Sequence, residues 1–242
     1  MQKLYQKSQI WFAVAWIILY VAGASTTDAL SLQLGVEKLL TLPFLAVLCV
    51  IALLWMRKHG LYRLYGLCRS AVAAAKFLYY IPLVVLCSSN LWYGVTMNLS
   101  PLETALYIGS MLCVGFLEEL IFRGFLFKAM EKDSLIAAIV VSSVTFGLGH
   151  IVNLFNSSGA DLRSNLCQVG MAIALGFLFV VLFHRGGSLW PCVIAHCTIN
   201  ILSAFANESR RSGELQILTA VILAVIAIVY TLILLKILPK NE

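Results

Sequence analysis

Long apolar runs separated by short polar stretches organise this chain. An α-helix needs about 20 predominantly apolar residues to cross a hydrocarbon layer. Runs of suitable length predict spans near 10–25, 39–56, 77–97, 105–127, 135–153, 165–183, 188–206 and 216–238. The predicted fold is all-α, a polytopic transmembrane helical bundle of about eight spans. Pro43 and Pro82 fall inside two of the runs, where neighbouring helices or water can satisfy the carbonyls that a kink frees. No internal repeat or low-complexity segment stands out. The length suits one bundle with short connections, so a single domain over 1–242 is expected, with its polar motifs in a core of about 105–206.

Composition agrees with that pattern. Hydrophobic residues make up 61% and charged residues 12% of the chain, and the mean hydropathy is +0.94, far from a soluble domain's balance. The net charge of +6 bears on orientation. With the N-terminus inside, the cytoplasmic connections hold Lys3, Lys7, Arg57, Lys58, Arg63, Arg69, Lys76, Lys128, Lys132, Arg185, Lys236 and Lys240. The opposite side holds Lys38, Arg163, Arg210 and Arg211. Cytoplasmic loops collect Lys and Arg, so both termini are expected in the cytoplasm. The 57–76 loop is read as a solvated orientation segment attracted to anionic headgroups of the lipid bilayer, and nucleic-acid binding is not implied.

Two features carry less. Lys3 and Lys7 precede an apolar run ending in Ala22-Gly23-Ala24, a pattern that also suits a cleaved signal peptide; retention of this first helix is the favoured reading. Seven cysteines, none in a C-x-x-C pair, read as small packing residues.

Polar residues inside the apolar runs are the informative exceptions, since ionisable groups in a membrane core are costly and usually functional. The fourth run carries Glu118-Glu119-Leu120-Ile121-Phe122-Arg123. Glu119 and Arg123 are an i, i+4 pair able to meet, which turns Glu118 about 100° away toward another neighbour. The fifth run carries Phe146 and His150 on one face, with Gly147 and Gly149 allowing close backbone approach. The seventh carries His196 and Asn200, again i, i+4. Each set alone also fits a structural role: an ion-pair network, a packing histidine, a polar contact between helices. Together they resemble the kit of a hydrolytic site. At about 1.5 Å per residue from the expected cytoplasmic ends, Glu118 lies roughly 14 Å deep, His196 about 12 Å, Asn200 about 18 Å and His150 about 22 Å. The last figure fits the other three poorly.

The order E-E-x-x-x-R, F-x-x-x-H, H-x-x-x-N on separate apolar helices resembles the CPBP (ABI-like) family of intramembrane proteases. That family includes type II CAAX prenyl endopeptidases and bacteriocin-processing or self-immunity homologues. The resemblance covers about residues 112–205, including Phe122-Arg123-Gly124 and Phe146-Gly147. It implies that Glu118 activates water with help from His150, that His196 and Asn200 stabilise the oxyanion, and that Glu119 and Arg123 support the site. Phe146 is expected to support it too. The implied activity is cleavage of a peptide or protein substrate at the membrane. A site of Glu118, His150 and His196 could also hold Zn²⁺ with an open position for water, and the sequence leaves a glutamate and a metal mechanism both open. A non-catalytic immunity or regulatory partner that keeps the polar core is the alternative of another class. A secondary transporter is disfavoured by the lack of repeats. Size without appended domains points to a bacterial plasma membrane.

Overall fold

The computed structural model describes residues 1–155 and 161–239; Lys240, counted above among the cytoplasmic cations, lies outside them. The described residues form helices α1 (Gln2–Lys7), α2 (Gln9–Gln33), α3 (Thr41–Lys58), α4 (Ile81–Cys87), α5 (Pro101–Glu119), α6 (Lys128–Glu131), α7 (Leu135–Gly149), α8 (Leu162–Gly186), α9 (Trp190–Ser203) and α10 (Gly213–Ile237). A π-helical stretch, Leu120–Phe127, joins α5 to α6, so that 101–131 forms one long rod. Among the described residues the extended structure amounts to one isolated bridge, Val95 to Ala206.

Local chemistry explains where the rods begin. Ser8, Ser100, Ser134, Asp161 and Ser212 cap α2, α5, α7, α8 and α10 by accepting main-chain N–H groups of the first turn, groups that no helical carbonyl can reach. At α5 the cap is reciprocal, with Glu103 reaching back to Ser100. At α8 the Ser164 hydroxyl and the main-chain N–H groups hold the Asp161 carboxyl below its ordinary pKa. Gly187, in the left-handed region at φ 68°, ends α8.

Among the described residues, seven helical segments are long and apolar enough to cross a membrane, and α9, at 14 residues, is a shorter apolar helix. The eight expected spans thus become seven of full length and one short. The third departs most. Instead of a helix over 77–97, a 3₁₀ turn at Ala74–Tyr80 with left-handed Leu78, Tyr79 and Tyr80 leads into the seven-residue α4, and a second 3₁₀ turn ends it at Leu91. Neither proline makes a mid-helix kink. Pro82 opens α4 and Pro43 sits in the first turn of α3, where a missing N–H costs little.

The 57–76 connection keeps its cations Arg57, Lys58, Arg63, Arg69 and Lys76 exposed, while its middle packs against the bundle. Tyr65 is buried, Gly66 O accepts from Leu189 N at 2.8 Å, and Ser188 and Ser70 tie the loop to the α8–α9 junction. Backbone groups at this junction are satisfied by the loop, which explains why it packs inward.

Helix α5 packs between α9 and α3, α8 packs on α7 and α10, and α2 lies on the π-helical stretch. The last contact is aromatic: Phe125 meets Phe12 at 5.1 Å, Tyr65 at 5.0 Å and Trp16 at 5.8 Å between ring centroids. Gly115 lets α5 approach α9 closely, because a Cβ there would stand 2.5 Å from Cys197 Sγ and 2.9 Å from its main-chain nitrogen. Gly147 does the same for α7 against Ile173 of α8, whereas Gly149 faces open space. Large apolar side chains such as Trp11, Ile18 and Ile136 point outward, as expected of surfaces bathed in lipid.

Candidate active site

The close crossing of α5 and α9 sets Glu118 and Glu119 beside His196. Its imidazole lies between the two carboxylates: Nδ1 is 2.8 Å from Glu119 Oε1, and Nε2 is 3.5 Å from Glu118 Oε2. A neutral Nδ1–H can donate to Glu119, which turns the Nε2 lone pair toward Glu118. Glu118 Oε1 accepts the Tyr20 hydroxyl at 2.6 Å, while Oε2 has no hydrogen-bond partner among the described residues.

A cavity of about 490 Å³ is lined by Glu118, His150, His196 and Asn200 together with Tyr20 and Phe146. It reaches the outer part of the bundle at Glu208 and Arg211, where the Glu208 side chain is 63% exposed. The four polar residues picked out on separate runs therefore share one chamber. The expected depth mismatch with His150 closes for Glu118 alone, since α9 starts at Trp190 and brings His196 no deeper. The rod carrying Glu118 runs on to Glu131 rather than 127, and four more residues add about 6 Å to its depth.

His150 stands at the end of α7 with Nδ1 3.1 Å from Phe146 O, and Asn165 of α8 donates to its carbonyl at 2.7 Å. If Nδ1 carries the proton, Nε2 is an acceptor. Asn90 holds the end of α9 through Ile199 O at 2.7 Å, and Ser203 donates to Asn200 O at 2.7 Å.

Glu119 and Arg123 do not line the cavity. They sit behind it, both fully buried, with Nη1 3.1 Å from Oε1. That contact is an ion pair without hydrogen-bond geometry, since the guanidinium nitrogens have no hydrogen-bond partner among the described residues. Aromatic faces take up the charge instead: Arg123 Cζ lies 3.9 Å from the Phe146 ring centroid and 5.4 Å from that of Phe179. The Phe146 ring also meets His150 and His196 edge-on at 5.3 and 5.6 Å. The π-helical turn leaves Phe122 O to accept from Ser142 at 2.8 Å, and such turns are rare and often found at functional sites.

Of the three expected metal ligands, Glu118 and His196 approach each other. Among the described residues no group of three or more His, Cys, Asp or Glu side chains is arranged to hold a metal ion. The zinc set does not fit as drawn from the sequence, and no chemistry below passes through a metal.

Sequence reasoning missed Tyr20, Asn90 and Asn165. Tyr20 had one usable signal: a tyrosine inside an apolar span needs a partner for its hydroxyl when buried. The asparagines act on main-chain carbonyls, and nothing in their spacing marks the distant partner.

The apolar rods and the buried polar chamber define a multi-pass integral membrane protein with an internal site. Residues 100–202 match the family model described as Type II CAAX prenyl endopeptidase Rce1-like, and over this segment the chain is similar to membrane proteases of the CPBP family. A relative in Bacillus subtilis (strain 168), the candidate membrane peptidase YdiL, is 36% identical over 85 residues, 35% of this chain and 30% of that relative. The chain thus matches less than a third of this curated relative's length. No solved structure matches.

Proposed function

We propose that the protein is an intramembrane endopeptidase that hydrolyses a peptide bond in a membrane-associated or lipid-anchored substrate, with Glu118 as the base. The observation that carries this reading is the carboxylate itself: Glu118 lines the cavity, and its buried Oε2, without a hydrogen-bond partner among the described residues, lies 3.5 Å from an imidazole that Glu119 holds from behind. Water bound at Oε2 gives up a proton to Glu118 as its oxygen bonds to the scissile carbonyl carbon. His150, with Nδ1 turned to Phe146 O, offers Nε2 to orient that water. Proton transfer from Glu118 to His196 Nε2 makes an imidazolium whose Nδ1–H remains on Glu119. That imidazolium and the Asn200 amide stabilise the oxyanion, and electrostatic aid of this kind is often a large part of catalysis. The carbon–nitrogen bond then breaks and the proton passes to the departing amine. Glu119, Arg123 and Phe146 hold the imidazole in register.

The distribution of basic residues supports cytoplasmic termini. The test is Glu118→Gln in protein reconstituted into vesicles with lipid-anchored peptides. Loss of cleavage is expected. Cleavage at the unaltered rate would overturn Glu118 as the base, and absence of cleavage by the parent protein would favour a non-catalytic immunity or regulatory protein.

A further inference from the structure

We propose that Tyr20 is a positioning residue for the catalytic carboxylate, its hydroxyl holding Glu118 Oε1 so that Oε2 stays turned toward His196 Nε2. The inference rests on the reading of Glu118 as base. Tyr20 belongs to α2, 98 residues away in the chain and outside the segment that matches the protease family. Its side chain is nearly buried and its hydroxyl lies 2.6 Å from Oε1. Both residues line the cavity.

The two oxygens of a free carboxylate are equivalent and exchange by rotation about the Cγ–Cδ bond. A short O–H···O⁻ bond breaks that equivalence, because charge-assisted bonds are roughly twice as strong as neutral ones. With Oε1 engaged, Oε2 keeps its lone pairs toward His196 Nε2. Mobility of the carboxylate matters, since a displacement of about 1 Å in a catalytic group can lower a rate about a hundredfold.

The packing makes this arm reproducible. The hydroxyl can reach Glu118 because α2 is pinned to the π-helical stretch just beyond that residue. Phe12 and Trp16 of α2 hold Phe125 there. An apolar helix that needed a ring only for packing would be served by phenylalanine; the added hydroxyl finds the Glu118 carboxylate at the chamber.

The experiment compares Tyr20→Phe, Glu118→Gln and Phe12→Leu as full chains in vesicles, with kcat and KM measured separately and Tm measured in detergent. Tyr20→Phe is expected to lower kcat roughly tenfold, as for loss of one hydrogen bond to a charged group, with KM within about twofold and Tm close to that of the parent protein. Phe12→Leu removes one ring from this contact while Trp16 still holds Phe125, and is expected to lower Tm with kcat within about twofold. Unchanged kcat in Tyr20→Phe, or a kcat loss that Phe12→Leu reproduces, would overturn the inference. If Tyr20→Phe does not fold, 3-fluorotyrosine at position 20 keeps the ring and alters the donor strength. A shift in kcat at constant KM then supports positioning, and an unchanged kcat overturns it. Activity in Glu118→Gln overturns the base assignment, and this inference with it, whereas an inactive Glu118→Gln beside a fully active Tyr20→Phe rejects the inference alone.

Discussion

Glu118 and Glu119 are neighbours in the chain and occupy two different regions of the molecule. Glu119 lies in a closed compartment with Arg123, the rings of Phe146 and Phe179, and one nitrogen of His196. Glu118 lines the open chamber, with a tyrosine on one oxygen and the His196 imidazole 3.5 Å from the other. Helical geometry turns adjacent residues about 100° apart, and that angle is enough to separate a carboxylate that holds structure from one free to react. His196 crosses the boundary, so the closed compartment can orient the open one.

Substitutions should divide along that boundary. The largest effect is expected on the open side: Glu118→Gln should reduce turnover by about a thousandfold or more, in the range for loss of a general base, with an unaltered Tm. A large fall in Tm would merge the two compartments. Next, Arg123→Ala should lower unfolding stability by about 3–5 kcal/mol, because it leaves the Glu119 charge buried without its cation; thermal unfolding in detergent reads this directly. Stability equal to the parent's would mean that Glu119 is not charged in the folded protein. Asn200→Ala should cut kcat by about a hundredfold, the loss typical of one oxyanion donor, while circular dichroism stays that of the intact bundle. Phe146→Leu removes the ring from Arg123 and should cost about 2 kcal/mol, together with a smaller rate loss through His196. The smallest change is expected from a chelator: equilibration with EDTA should leave kcat within about twofold. A large loss that zinc restores would return Glu118, His150 and His196 to the role of ligands.

The legible parts of this protein are those governed by near neighbours. Hydropathy over some twenty residues located the rods, since the bilayer's thickness sets their length. The i, i+4 rule paired Glu119 with Arg123 and turned Glu118 elsewhere. The broken third span was illegible because its hydropathy is that of a helix, while three left-handed residues interrupt it. The exposed cations of the 57–76 loop were legible, whereas the contacts of its middle with the α8–α9 junction leave no mark in composition.

Class, approximate spans and the polar residues worth weighing could all be read from the order of amino acids, because each depends on hydropathy or helical spacing within a few turns. Convergence could not. Tyr20 reaching Glu118 across 98 positions, and His196 standing between two carboxylates, depend on how closely whole helices cross. Those distances are set by side chains such as Gly115 against Cys197 and Phe12 against Phe125. Packing between remote segments is a property of the assembled bundle, and only the assembled bundle gives the two glutamates different work.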